Sequence, residues 1–155
     1  RITNCFGENQ KVHGDDIGLV GSFIVDILSG KTVEIYGNEY RNKNLIYVND
    51  LINLILALGL KDIKDFEAYN VAGQRVSLKD ILDTIIGIIG RGRYVIKSFP
   101  DAVRQIDTGD AEFSDSKIKN ELGQFESHEF VKSLSNTISY FEKTRKDGRC
   151  DDLEM

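Results

Sequence analysis

Across residues 15–28, apolar residues recur at Ile17, Val20, Phe23, Ile24, Ile27 and Leu28, the three-and-four spacing of one helical face, and Gly30 ends the run. The spacing predicts a helix with one buried side. Residues 33–36 and 45–48 are short apolar runs that predict strands. The polar residues 37–44 between them are too many for a tight hairpin and are free to carry binding groups. A second helix is predicted through Leu58, capped by Asn49 or Asp50, whose side-chain oxygen can accept from an orphan backbone N–H. Residues 66–71 predict a strand, with Gly73 in the turn after it. Ser77-Leu78-Lys79-Asp80 is close to a capping box, with Asp80 where Glu or Gln is usual, and opens a helix to Ile89. Gly90 and Gly92 then read as a helix stop and turn ahead of a strand at residues 94–96. Past Pro100 the chain is irregular and polar until a short helix at residues 115–122, stopped at Gly123. A last amphipathic helix starts at Ser127 and runs through Phe130, Val131, Leu134, Ile138 and Phe141, leaving residues 143–155 as a charged tail predicted to fray.

Composition narrows what such a chain can do. At 155 residues, 41% hydrophobic and 29% charged, it can bury a core as one domain, and no repeat or linker divides it. The longest apolar stretches, residues 51–60 and 81–89, are too short to span a bilayer, and no charged-then-apolar segment opens the chain. A cytoplasmic location without membrane contact is therefore expected. A net charge of −5 with dispersed Lys and Arg argues against a nucleic-acid surface. Cys5 and Cys150 stand in dissimilar settings at opposite ends, and His13 and His128 fall in no ligand spacing, so neither a disulfide framework nor a metal site is expected.

Chemistry enters through four segments in order: Arg1-Ile2-Thr3-Asn4-Cys5-Phe6-Gly7, Gly30-Lys31-Thr32-Val33-Glu34-Ile35-Tyr36-Gly37, Asn44-Leu45-Ile46-Tyr47-Val48-Asn49-Asp50 and Tyr69-Asn70-Val71-Ala72-Gly73. Together they resemble the extended short-chain dehydrogenase/reductases that act on nucleotide sugars, the epimerases and dehydratases. The resemblance implies an α/β fold, the C-terminal portion of a Rossmann-type enzyme. It would comprise a small mixed α/β substrate domain and orphan strands of the parallel sheet over residues 1–142, in a chain that begins partway into such an enzyme.

Hydride chemistry in that family uses a glycine-rich first turn and a Tyr-x-x-x-Lys pair, and this sequence has neither. Tyr40 and Lys43, Tyr94 and Lys97, and Tyr140 and Lys143 are each three apart. Gly87-Ile88-Ile89-Gly90-Arg91-Gly92 follows a predicted helix and precedes a strand, the reverse of a phosphate-cradling turn. NAD, the cofactor of the full-length family, is therefore not expected on this chain alone, and no catalytic residue is expected in it.

The resemblance assigns binding roles instead. Asn4 matches the asparagine that approaches the sugar or diphosphate, although its place at a strand end also suits it to satisfying backbone. Gly18 and Leu19 lie where a helix start presents N–H groups to the diphosphate. Val33, Glu34 and Ile35 match the strand that brackets the base, or form an ordinary core strand, with Glu34 facing solvent or ligand. Lys43-Asn44 replaces the family's Arg-Asp pair, so that a point charge stands in for a planar fork, and Arg41 is near enough to substitute. Taken alone, both cations read better as solvated loop charges. Arg104 and Asp110 resemble the late loop whose arginine meets phosphate and whose aspartate meets ribose hydroxyls, with Asp107 standing where the arginine would. Asp50 is expected as a helix cap rather than a ligand contact.

The expected partner is a nucleoside diphosphate sugar, with self-association through exposed strands or exchanged elements. Three readings stand: the substrate-binding part of an NAD-dependent epimerase or dehydratase, a non-enzymatic binding or assembly module derived from one, and a structural remnant. The four ordered matches put the first ahead of the other two, and the departures at Lys43, Asn44 and Asp107, with Glu8 and Gly21 in place of the family's prolines, count towards the third. The identities of the sugar, the base and the reaction are left open.

Overall fold

A computed structural model describes residues 1–10, 18–62, 65–99 and 110–146. The elements are β1 (Asn4–Phe6), α1 (Leu19–Leu28), β2 (Val33–Tyr36), β3 (Asn42–Tyr47), α2 (Val48–Gly59), β4 (Gln74–Ser77), α3 (Leu78–Ile89), β5 (Tyr94–Lys97), α4 (Ser116–Leu122) and α5 (Phe130–Lys146). They form a mixed α/β fold with two small sheets. In one, β3 lies between β1, to which it is parallel, and β4, to which it is antiparallel; in the other, β2 and β5 run parallel.

Each helix buries the stripe its sequence supplies. In α3 these are Leu78, Ile81, Leu82 and Ile85, four aliphatics worth roughly 1.5–3 kcal/mol each in gross burial. The Ser77 hydroxyl caps α3 by accepting from the Asp80 backbone N–H at 3.0 Å, and Gly90 ends it at φ 75°, a left-handed conformation that glycine adopts without steric cost. Helices α1, α3 and α5 pack together over the face of the sheet that carries Phe6, Leu45 and Tyr47. Ile46, on the other face, joins Leu51 and Leu54 of α2, Val71 and Ile118 in a second cluster. Strand β3 is thus covered on both sides, which is why Leu45-Ile46-Tyr47 is continuously apolar instead of alternating.

Several expectations are corrected. Residues 66–71 form no strand; Phe66 is 96% exposed and only Val71 pairs, in a bridge to Ile2. Strand β3 begins at Asn42 rather than Leu45, because Asn42 to Leu45 find partners on β4, and Val48 already belongs to α2. Neither Asn49 nor Asp50 caps α2; the cap position is Tyr47, without a side-chain bond, and Asp50 turns inward. Helix α5 starts at Phe130, not Ser127, and continues through residues 143–146, which were expected to fray. The expected start of α1 before Gly18 and the tail at residues 147–155 lie outside the described residues.

Candidate functional site

Strand parity decides which of the expected binding residues can meet. In β3, Leu45 and Tyr47 face α1, α3 and α5, so Lys43 shares that face, while Asn42 and Asn44 fall on the opposite one with Ile46. Arg41, one residue ahead of β3, lies outside the strand's alternation, and its contacts group it with Asn42 and Arg75 around Asp110. Asn4 is in register with Leu45 on the neighbouring parallel strand and so lies on the same side. Its Nδ2 donates to the Asn44 carbonyl at 3.0 Å, the backbone-satisfying role. The start of α1 closes against the end of β1: a Cβ on Gly18 would lie 3.7 Å from the Cys5 carbonyl oxygen and collide with the Gln10 amide. The N-cap is Gly18, which has no side chain with which to cap the first turn, beginning at Leu19. Asn4, Lys43 and the α1 start thus share one side of the sheet.

A second grouping forms at the carboxyl ends of the parallel strands β2 and β5, where open α/β sheets present ligand sites. Arg41 lies over the Phe99 ring, 5.3 Å from its centroid, and Phe99 packs near Tyr36, the last residue of β2. Arg41 Nε is 3.9 Å from Asp110 Oδ1, and an Arg75 guanidinium nitrogen is 3.8 Å from Asp110 Oδ2. The Asn42 backbone N–H donates to Asp110 at 3.1 Å; that bond, with the Asn42 side chain and the two arginines, holds the Asp110 carboxyl below the ordinary aspartate range. Arg41 and Asp110, both anticipated, are brought together. Asn42, Arg75 and Phe99 were not anticipated, since each joins through contacts that no local motif announces.

Within β2, Val33 and Ile35 are each 2% exposed and belong to the main core, while Glu34 faces outward as expected. The Glu34 carboxylate accepts from Lys97 Nζ and from the Tyr36 hydroxyl at 3.1 Å, and these bonds lower its pKa. Backbone pairing with β5 runs along the whole strand. Arg104 and Asp107 lie outside the described residues.

The carboxyl ends of β1 and β3 carry a different network. The Tyr47 phenol contacts both Glu8 carboxylate oxygens at 2.8 Å and accepts from Asn49 at 3.2 Å, and burial raises its pKa. Asp50, 6% exposed, accepts from the His128 backbone N–H at 3.1 Å and contacts its ring Nδ1. Tyr47, Asp50 and His128 line a cavity of about 240 Å³ that Gln74, Asp115 and Lys119 also border. None of the expected binding residues lines it. With Asp50 and His128 satisfying each other, the arrangement ties the segment leading into α5 to α2 and accounts for a buried carboxylate. Among the described residues no three or more His, Cys, Asp or Glu gather as metal ligands, and no helix is long and apolar enough to cross a membrane.

Comparison with known proteins agrees with the sequence pattern. Residues 1–72 match the model of the NAD dependent epimerase/dehydratase family. The dTDP-glucose 4,6-dehydratase of Escherichia coli is 25% identical over 90% of this chain and 41% of its own length. Among solved structures, a UDP-glucose 4-epimerase from Thermotoga maritima with UDP-glucose superimposes with a TM-score of 0.78 at 24% identity, over 94% of this chain and 45% of the other. A dTDP-glucose 4,6-dehydratase from Streptomyces venezuelae with NAD bound also gives 0.78, at 17% identity over 94% and 44%. The chain therefore spans less than half the length of these relatives.

Proposed function

We propose, for a chain that is a relative of the NAD dependent epimerase/dehydratase family and has the Rossmann-type α/β fold of its sugar-modifying members, that it binds the nucleoside diphosphate part of a nucleotide sugar. The diphosphate lies at the margin of the face on which α1, α3 and α5 pack, where Asn4 is exposed and Lys43 half-buried, beside the first N–H groups of α1 at Gly18 and Leu19, with Arg41 ahead of β3 and the Val33–Ile35 stretch of β2 beside the base. The observation that carries this reading is the register of β1 on β3, which puts Asn4 and Lys43 on one side together with the α1 start. Opposite-sign charge and helix-end donors are what a diphosphate needs.

Redox chemistry is not assigned to these residues. The sequence holds no Tyr-x-x-x-Lys. Its glycine cluster follows α3 and precedes β5, with Gly90 closing the helix, so it offers no strand-to-helix cradle for a pyrophosphate. The residues described do not fit NAD, and the chain by itself supplies binding rather than hydride transfer. A non-enzymatic binding module derived from the family would have the same pocket, and turnover by the protein would exclude it.

Calorimetric titration with UDP and dTDP tests the site. Binding should be weak but saturable, and Lys43→Ala should reduce affinity about tenfold or more, the scale of a lost charge-assisted bond. Lys132→Ala, on the exposed side of α5, should leave it unchanged. Equal losses at Lys43 and Lys132 would remove the site; stoichiometric tight NAD binding would remove the exclusion of the cofactor.

A further inference from the structure

Asp110 has the wrong sign for a residue in a phosphate site, and it occupies the position an anion would take. Its Oδ1 accepts from the Asn42 backbone N–H at 3.1 Å, and its Oδ2 from Asn42 Nδ2 at 3.5 Å. The Arg41 and Arg75 guanidinium groups approach the same two oxygens at 3.9 and 3.8 Å. A backbone amide, a side-chain amide and two guanidinium groups converging on one pair of oxygens form the donor set that proteins offer to phosphate and carboxylate alike. The arginine contacts are longer than hydrogen bonds, and the Asp110 side chain is 36% exposed, so the hold is a loose one.

We infer that Asp110 is an internal placeholder: the chain's own carboxylate fills an anion cradle made by Arg41, Asn42 and Arg75, and a ligand phosphate enters by displacing it. The inference rests on the reading above of Arg41 as a phosphate contact. The rest of the cradle stays in place when the carboxylate leaves. Phe99 lies against the Arg41 guanidinium, the Arg41 backbone N–H donates to the Asn38 carbonyl, its own carbonyl accepts from Leu78, and Arg75 keeps Glu112 at 3.7 Å. A family-type contact of Asp110 with ribose hydroxyls makes the opposite prediction, because removing its charge would then weaken nucleotide binding.

Titration of UDP and inorganic pyrophosphate into the wild type, Asp110→Asn and Arg41→Met at one ionic strength separates these outcomes. Asp110→Asn should bind both anions on the order of fourfold to tenfold more tightly, the effect of removing a like charge roughly 5 Å away in a solvent-exposed setting of near-aqueous dielectric, about 50–80. Arg41→Met should bind more weakly. Binding seen only in Asp110→Asn also supports the placeholder. Unchanged or weaker binding by Asp110→Asn, with Arg41→Met weakened, overturns the placeholder and leaves the site reading in place. Unaffected binding by Arg41→Met overturns the site reading and the placeholder with it. Should Asp110→Asn fold poorly, the wild type decides by nuclear magnetic resonance during pyrophosphate addition. The Arg41 and Arg75 Nε–H signals and the Asp110 carboxyl carbon should then move together, and a fixed Asp110 signal beneath moving arginine signals refutes the displacement.

Discussion

Replacing Gly73 by alanine should cost the protein about 2–4 kcal/mol of stability, a large effect for one added methyl group. Gly73 has φ +67°, where an L-residue pays about 1–2 kcal/mol. A Cβ there would also sit 2.1 Å from the Leu45 carbonyl oxygen and 2.6 Å from its carbonyl carbon. Both atoms are backbone of the central strand, so they cannot yield as the end of a side chain would. Relief requires moving Gly73 away from β3 and loosening the pairing of Gln74 with Leu45. That displacement carries the remaining one to two kcal/mol, as a strained close approach usually does. Urea unfolding of the wild type and Gly73→Ala, followed by circular dichroism, measures the difference. A loss below about 1 kcal/mol would show that the turn relaxes freely and that the glycine closing the Tyr-Asn-Val-Ala-Gly segment is there for something other than backbone proximity.

Ser77→Ala should destabilise by about 1 kcal/mol through loss of the α3 cap, read from the same unfolding curves. Glu34 and Asp110 should titrate below the usual carboxylate values of about 4.3 and 3.9, followed by carboxyl carbon resonances. Because both folded values are lowered, whatever stability they contribute is present above those unfolded values and is lost as pH falls through the folded ones; Glu34→Gln should remove its share of that acid sensitivity. Self-association is expected through the edge strand β1 and the outer stripe of α2, where Ile52, Ile55 and Leu56 are 45–60% exposed. Sedimentation velocity should show concentration-dependent association that Leu56→Lys abolishes, and a wild type that stays monomeric at high concentration would refute it.

What the sequence disclosed depends on how local each cause is. The cap at Ser77, the stop at Gly90, strand β2 and the short α4 follow from residues within a few positions of one another, and the structure has them within a residue or so of the predicted bounds. Residues 66–71 have the composition of a strand, but a strand exists only where a neighbour supplies hydrogen bonds, and only Val71 meets one. Asp50 has the look of a cap because carboxylates are common in first turns, yet its partner, His128, is 78 residues away. The Arg41, Arg75 and Asp110 cluster was half legible for the same reason: motif resemblance pointed to two of its members, but the antiparallel pairing of β3 with β4 recruits Arg75.

The Lys43-Asn44 departure from the family's Arg-Asp pair becomes intelligible once strand parity is known. The two positions face opposite sides of β3, so each substitution answers to a different environment. Position 43 is on the face shared with Asn4, whereas the Arg41 guanidinium, ahead of the strand, is engaged with Phe99 and Asp110. Position 44 is on the other face, where Asn44 is 7% exposed and its Oδ1 has no hydrogen-bond partner among the described residues. An unpaired amide oxygen costs about 1–3 kcal/mol in such a place, and an unpaired ionised carboxylate would cost more. Asparagine is therefore the less costly residue on the buried side, while the other side keeps the cation that the proposed diphosphate site uses. If the proposed diphosphate site is right, the motif has changed at both positions while keeping a cation on the side that the site uses, and the Lys43→Ala titration decides between that reading and a bare structural remnant.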